Sequence, residues 1–242
     1  MPGATSNNSQ SQPTGNSGGK AATAGIKFQS QVAALFASGL ISEHQMDQRL
    51  RLGTARAKVV RLETEAPTDD IMVQTDAGGH LFIQAKTSVS LSDDLGSPLG
   101  NVALQFVKQW LVSRRGAGSR GWDQPLERAK DCLILATRAG GSNTVTRDLA
   151  AALSSFSTAE SAPLPQNQQS ALSRFRGLLE TAWLSVEGSQ PDAAEVDDLL
   201  KLVVVWQFDF EGGDRIAAEA ILRDAVESKT TAPAAFAVLC HI

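Results

Sequence analysis

Hydrophobic positions early in the chain recur at helical spacing. Phe28, Val32 and Phe36 fall on one face of a helix, which predicts an amphipathic helix from about residue 21 to Gly39. The same period predicts four later helices, over residues 101–115, 144–156, 168–186 and 214–227.

Apolar runs of strand length separate these helical segments. They predict strands over residues 58–65, 132–139 and 201–210, together with a β-hairpin between residues 68 and 88. Helices that alternate with strands in this way predict the α/β class, with a mixed β-sheet flanked by helices.

The same patterns set the expected domain boundaries. Residues 1–20 are rich in Ser, Asn, Gln and Gly and lack bulky apolar side chains after Met1, which predicts a disordered tail. No repeat or linker divides residues 21–230, so we expect one domain there. Residues 231–242 are expected to be a C-terminal extension that would lead into a sensor region.

The hairpin has a register that its apolar side chains define. Residues 76–78, followed by Gly79, suit a three-residue turn with one left-handed position. Folding the chain about this turn pairs Val73 with Leu81 and Ile71 with Ile83, and so puts four branched side chains on one face. A slip of one residue would destroy that face.

This register also gathers polar groups. Asp70 comes to lie directly opposite Gln84, with Lys86 on the diagonal, at Cβ separations of about 5 and 7–8 Å. Asp70, the Gln84 side-chain oxygen and the Ala85 carbonyl could ligate Mg²⁺, which prefers oxygen ligands and keeps several waters. Lys86 could activate a water or stabilise charge on a phosphate, and Glu65 is a candidate fourth contributor.

A plainer alternative stays open on spacing alone. An aspartate at a strand start is commonly a turn or cap residue, and Gln and Lys on an alternate strand face are commonly solvated. Gln105, on the helix after the hairpin, is expected to reach the same edge of the sheet. The spacing by itself favours the plainer alternative.

A family resemblance shifts that balance towards a site. An acid before a strand, followed by a hairpin that ends in 83-IQAK-86, resembles the core of PD-(D/E)xK nucleases in the variant with Gln for the second acid. More closely, three segments look like the nuclease domain of CD-NTase-associated anti-phage effectors and of the N-termini of STAND NTPase defence proteins. These are 24-AGIKFQSQVAALF-36, 65-EAPTDDIMV-73 and 82-FIQAKTS-88, with residues 201–227 similar to the closing section of such domains.

The resemblance implies a restriction-endonuclease-like fold and a catalytic set. It places Asp70, Gln84 and Lys86 at catalytic positions and Gln29 at a polar position of the first helix. Glu63 and Glu65 both remain candidates for the upstream acid. Gln84 brings no negative charge, so metal affinity is expected to be weaker than with two acids.

The activity that the resemblance implies is Mg²⁺-dependent endonuclease cleavage of double-stranded DNA, with Mn²⁺ as a possible substitute and little sequence preference. Such a domain would act as an anti-phage effector, switched on by homo-oligomerisation or by a sensor or NTPase partner. The alternatives are an inactive nuclease-fold module that binds DNA and a purely structural protein-interaction domain.

Charge and composition add limited support. A net charge of −4 excludes a globally basic nucleic-acid binder, but local basic runs are present. These runs hold Arg49, Arg51, Arg56, Lys58 and Arg61, and then Arg114, Arg115 and Arg120. We expect Arg56, Lys58, Arg114, Arg115 and Arg120 to contact DNA phosphates.

Cysteine usage and hydropathy predict the cellular setting. Two distant cysteines suggest neither a zinc site nor a disulfide framework. The absence of a signal peptide or a membrane-length apolar run predicts a cytoplasmic protein without membrane association.

Overall fold

The computed structural model describes residues 17–116, 119–158, 163–226 and 231–241. Most of the predicted tail, residues 1–16, lies outside the described residues. The first helix begins at Ser17, inside the segment predicted as tail, because a helix can continue beyond the residues whose apolar spacing marks it. Its side chains from Gly19 to Ala24 are exposed, so the apolar pattern identified only the packed part.

Five strands form one mixed sheet in the order β1-β2-β3-β4-β5. β2 pairs antiparallel with both β1 and β3. β4 pairs parallel with both β3 and β5. Their bounds are β1 Ala57–Leu62, β2 Ile71–Thr75, β3 His80–Lys86, β4 Cys132–Arg138 and β5 Val203–Phe208. The predicted mixed α/β class is confirmed.

The hairpin register is as predicted. Val73 pairs with Leu81 and Ile71 with Ile83, and the turn contains Gly78 in the left-handed region at φ 80°. All four of these branched side chains are fully buried in one core cluster. The apolar pairing therefore fixes the alignment of β2 with β3.

Helices cover both faces of the sheet, each with its own core. In chain order the helices are α1 Ser17–Ile41, α2 Pro98–Arg115, α3 Ala150–Thr158, α4 Gln166–Glu187, α5 Ala193–Leu202, α6 Gly213–Leu222 and α7 Ala232–Leu239. One core, with α1, α6 and α7, surrounds Phe28 and Phe208. The other, with α2, α3, α4 and α5, surrounds Phe82 and Phe106. A π-helical turn, Thr144–Leu149, leads into α3.

Two helices were absent from the sequence predictions. α5 occupies residues just before the last strand, so β5 begins at Val203 and not at residue 201. A capping box marks the start of α5: the Asp192 side chain accepts from the Ala194 N–H, and Glu195 accepts from the Asp192 N–H. α7 lies in the segment predicted as an extension. Within the described ranges, no helix combines the length and apolarity that crossing a bilayer requires.

Candidate active site

The predicted polar cluster forms at the open end of the hairpin. We call Asp70, Gln84, Ala85 and Lys86 the Asp70 corner. One carboxylate oxygen, Asp70 Oδ2, accepts from Gln84 Nε2 and, at 2.8 Å, from the Ala85 N–H. Lys86 Nζ lies 3.8 Å from the same oxygen. The register that the apolar residues set therefore brings acid, amide and ammonium together.

Burial distinguishes this corner from the solvated face of an ordinary hairpin. Gln84 is only 1% exposed, and its face also carries Met72 and Phe82, which are buried in the core under α2. The Asp70 and Lys86 side chains stay 17% and 29% exposed. The Gln84 amide is thus buried, whereas the Asp70 carboxylate and the Lys86 ammonium are partly exposed.

The carboxylate of Asp70 is held at an electrostatic cost. Burial raises the pKa of Asp70, whereas the charge of Lys86 and the hydrogen bonds from the Ala85 N–H and Gln84 act to lower it. Burial is the largest of these effects. A carboxyl in a cleft whose pKa is perturbed by burial and a specific charge partner is a mark of functional sites.

One buried oxygen of the corner lacks a hydrogen-bond partner. Gln84 Oε1 is buried and accepts no hydrogen bond, while the amide nitrogen faces Asp70. An unpaired buried acceptor costs about 1–3 kcal/mol. A half-turn of the amide would exchange its oxygen and nitrogen and set two oxygens side by side, where a cation could bridge them.

The other oxygens fit a divalent ion as well. In an extended strand the N–H and C=O of one residue point the same way, so the Ala85 carbonyl faces the side from which its N–H reaches Asp70. After the half-turn of the Gln84 amide, Asp70, Gln84 and Ala85 would offer three oxygens to Mg²⁺, which would keep waters in its other positions. Among the described residues no group of three or more His, Cys, Asp or Glu could hold a metal, so an ion here depends on amide and carbonyl oxygens.

The two upstream acids occupy different places. Gln29 of α1 donates to Glu63 Oε1 at 2.6 Å and to the Asp70 carbonyl at 3.0 Å, which ties Glu63 to the corner. Glu63 lies in the left-handed region at φ 48°, where β1 has already ended. Glu65 is 84% exposed and pairs with Arg120 at 3.5 Å. The contacts associate Glu63, through Gln29, with Asp70.

Gln105 contacts Asp69, the neighbour of Asp70. Its amide nitrogen lies 3.3 Å from Asp69 Oδ1, and its own oxygen is buried without a partner. The charge of Asp69 contributes to the raised pKa of Asp70. In the sequence Asp69 and Asp70 are adjacent, and nothing in their spacing predicted that Asp69 would contact Gln105 while Asp70 contacts Gln84.

Thr137 is a second residue that the sequence did not indicate. It pairs with Lys86 across β3 and β4, and both side chains project towards the core under α2. Thr137 is fully buried, and its hydroxyl has no partner. Only the parallel pairing of β3 with β4, which is remote in sequence, places it there.

The basic residues predicted to contact DNA are mostly paired with acids. Arg114 pairs with Glu195, Arg115 with Glu187, Arg120 with Glu65, and Arg56 with Glu43 at 3.7 Å. Lys58 is exposed, lies at a β-bulge in β1 and has no ion pair with any described residue.

Arg49 and Arg51 lie away from the corner, beside β5. Arg49 stacks on Trp206, and Arg51 contacts α3. The chain order had suggested that they border the cleft. The turn that carries them instead packs at the start of β4, where the Cys132 thiol donates to the Leu50 carbonyl at 3.4 Å.

Comparison with known proteins adds no assignment. No family model, no curated protein and no solved structure matches this chain. Its function is therefore argued from its own residues.

Proposed function

We propose that this protein is a Mg²⁺-dependent endonuclease that cleaves double-stranded DNA with little sequence preference and serves as an effector in defence against phage. The observation that carries the proposal is the convergence of Asp70, Gln84 and Lys86 on one partly buried corner. The resemblance of the sequence motif to PD-(D/E)xK nucleases supports it. We further propose that the sheet, with its antiparallel hairpin and two parallel strands, has the restriction-endonuclease-like arrangement.

Each residue of the corner has a distinct part in this mechanism. Asp70, Gln84 and the Ala85 carbonyl would hold the ion, which supplies Lewis acidity and lowers the pKa of bound water. Lys86 would orient the attacking water or hold the phosphate oxygen on which negative charge develops. Gln29 would position Asp70 through the carbonyl that it binds.

Substrate contact would be through phosphates. Lys58 lies in β1, Arg56 directly precedes that strand, and Arg120 pairs with Glu65 after it. Phosphate contacts of this kind carry no sequence information. One such domain offers one corner, so cutting both strands calls for two copies. Activity that rises steeply with protein concentration is therefore expected, with oligomerisation as the trigger.

Plasmid cleavage tests the proposal directly. Supercoiled plasmid incubated with the protein and Mg²⁺ should be nicked and then linearised, and Lys86→Ala and Asp70→Ala should each abolish cutting. Lys130→Ala is the matched control, because this exposed lysine pairs only with Glu127. If both corner variants remain folded and cut as well as the parent, the nuclease assignment is wrong.

A second candidate is a nuclease-fold module without catalysis that binds DNA or another protein. It is favoured by Gln84, since an amide replaces a second acid and turns its nitrogen towards Asp70. Metal-independent DNA binding, with no cleavage even when copies are clustered, would support the DNA-binding form. Absence of any salt-dependent DNA affinity would leave a protein-interaction domain.

A further inference from the structure

A cavity of about 580 Å³ follows the outer edge of β5. Five consecutive strand residues, Val203 to Gln207, line it. Consecutive side chains of a strand point to opposite faces, so a cavity that all five line must run along the edge of the strand. β5 pairs only with β4 among the described strands, and this edge therefore presents peptide groups free of sheet pairing.

The charge in this cavity has one sign. Arg49, Arg51, Arg128 and Lys201 line it, and no described lining residue is acidic, although Asp47 and Asp198 pair with two of these cations from outside the lining. Clefts lined by one sign of charge concentrate ligands of the opposite sign.

Two of these cations have no carboxylate partner. Arg49 is paired with Asp47, and Lys201 with Asp198. Arg51 instead donates to neutral groups of α3, namely the Ser154 carbonyl, the Ser154 hydroxyl and the Ser157 hydroxyl. Arg128, at the exposed rim, has no hydrogen bond or ion pair with any described residue.

The two guanidinium groups without a carboxylate partner line the same cavity. Burial raises the pKa of the Cys132 thiol to about 12, and the charges of Arg51 and Arg128 both act to lower it. Both arginines are therefore near the start of β4. Planar guanidinium forks of this kind match the oxygens of a phosphate group, and the hydroxyls of Thr146, Ser154 and Ser157 line the same cavity.

Trp206 lies beside the cavity, but its indole N–H is closed off. The residue is 5% exposed, and its buried Nε1–H has no hydrogen-bond partner among the described residues. Arg49 lies over its ring at 4.3 Å, and Phe208 stacks on it at 4.7 Å. The groups that a ligand could contact are therefore the cations and hydroxyl-bearing residues of the lining.

We propose that the β5-edge cavity binds a phosphorylated small molecule, with its phosphate held by Arg51 and Arg128. The cavity volume lies within the range of small-molecule sites, roughly 300–1,000 Å³. The site is separate from the Asp70 corner: Lys86, Thr137 and Gln207 are partners across three adjacent strands, so β4 and β5 lie between the two regions.

Calorimetric titration tests the proposal with three probes: inorganic phosphate, ribose 5-phosphate and adenosine monophosphate. Both esters should bind more tightly than inorganic phosphate, because the cavity has room beyond the phosphate. Arg128→Ala should weaken ester binding about tenfold, the loss expected for one charge-assisted contact. Its melting temperature should match that of the parent, since Arg128 has no partner to lose.

Two further variants separate specific contact from general charge. Lys130→Ala removes the same charge from the same segment, outside the cavity lining, and should leave ester affinity within about twofold of the parent. Arg51→Ala should also weaken ester binding about tenfold, with a lower melting temperature, because its hydrogen bonds to Ser154 are lost as well.

Four outcomes would overturn the proposal. The first is that neither ester binds, and the second is that inorganic phosphate and both esters bind with equal affinity. The third is that Arg128→Ala and Lys130→Ala lose ester affinity equally. The fourth is displacement of the esters by a short DNA duplex together with a matching loss of DNA affinity in Arg128→Ala, which would make the cavity part of a DNA path.

Discussion

The Asp70 corner and the β5-edge cavity are electrostatic opposites built on one sheet. At the corner, a single carboxylate gathers an amide, a peptide N–H and an ammonium. At the cavity, guanidinium groups gather around neutral hydroxyls with no carboxylate among the lining residues described. Among the described residues, the buried acceptor Gln84 Oε1 at the corner has no hydrogen-bond partner, and Arg128 at the cavity has neither a hydrogen bond nor an ion pair.

The difference shows how unpaired atoms can identify the class of ligand. An unpaired acceptor beside a carboxylate is completed by a cation, whereas a guanidinium group without a carboxylate partner is completed by an anion. The same residue types would carry little information if all their hydrogen bonds were satisfied within the chain. If the corner binds a cation, changes to its oxygen ligands should alter both its response to metal and the rate of cleavage.

The largest expected effect is that of Asp70→Asn, which keeps the shape of the side chain and removes its charge. Cleavage with Mg²⁺ should fall by about 100-fold or more, because the only carboxylate ligand is lost. Thermal stability at pH 7 should rise, with the melting temperature up by about 1–3 °C, because the buried charge is gone. Plasmid cleavage and thermal melting measure the two effects.

The pH dependence of that stability difference has a definite sign. Burial raises the folded-state pKa of Asp70, so its favourable contribution is fully present below the unfolded value of about 3.9 and is lost as the pH rises through the folded value. The melting temperature of Asp70→Asn should therefore gain on the parent as the pH rises from about 4 to 7. A variant that is less stable than the parent at pH 7 would show that Asp70 is a structural partner of Lys86 and Ala85.

Gln84→Glu should sharpen the cation-binding character of the corner. A second carboxylate beside Asp70 should lower the Mg²⁺ concentration for half-maximal cleavage by about tenfold, since the charge of the ligands tunes affinity. Without metal the variant should melt below the parent, because two close buried carboxylates repel. Cleavage and melting curves across a Mg²⁺ titration report both effects.

Gln84→Met is the matched control, since it preserves the approximate volume and removes the amide oxygen. It should lose the rise in melting temperature that Mg²⁺ gives the parent. A Met variant that still responds to Mg²⁺, together with a Glu variant that needs as much metal as the parent, would show that Gln84 is no ligand.

The sequence predicts those parts of the corner that depend on contacts between residues close together in the chain. The pairing of Val73 with Leu81 depends only on alternation and a turn within one hairpin, so the convergence of Asp70, Gln84 and Lys86 was predictable. The parallel partner Thr137 comes from a strand about fifty residues away, and no local pattern fixes the register between β3 and β4.

For the same reason the sequence did not indicate the β5-edge cavity, since its lining comes from segments far apart in the chain. Arg51 looked like part of a basic run leading to β1, but the turn before it packs beside β4 and β5.

The helix α5 was missed for a different reason, because its Asp-Ala-Ala-Glu capping box is local and visible in the sequence. The continuous apolar run into β5 concealed it, since an apolar run does not itself distinguish a helix end from a strand start.

A smaller effect separates the two upstream acids. Gln29→Ala removes the hydrogen bonds that tie Glu63 and the Asp70 carbonyl to α1, so kcat should fall about tenfold as Asp70 loses its support, with KM little changed. Glu65→Ala should change kcat by less than about twofold, because that side chain is exposed and pairs only with Arg120. Steady-state cleavage of a fluorescent duplex measures both.

Gln29→Glu serves as the control for that pair, since it keeps the size of the side chain but would repel Glu63. Its kcat should fall at least as far as that of Gln29→Ala. A large loss in Glu65→Ala with a normal rate in Gln29→Ala would reverse the assignment and make Glu65 the acid that supports the site.

The smallest expected effect concerns Lys58, an exposed cation of β1 that has no ion pair with any described residue. Ala57 pairs with Thr75 and Leu62 with Ile71, so Lys58 lies towards the turn of the hairpin and not beside Asp70. Lys58→Ala should weaken duplex affinity by only about two- to threefold at moderate salt and reduce the slope of log K against log salt by about 1, as the loss of one phosphate contact requires. Lys130→Ala, a lysine paired with Glu127, should leave the slope unchanged. Fluorescence anisotropy over a salt series measures the slopes. Equal slopes for the parent and Lys58→Ala would mean that DNA does not contact β1 at Lys58, and the proposed phosphate contact there would be wrong.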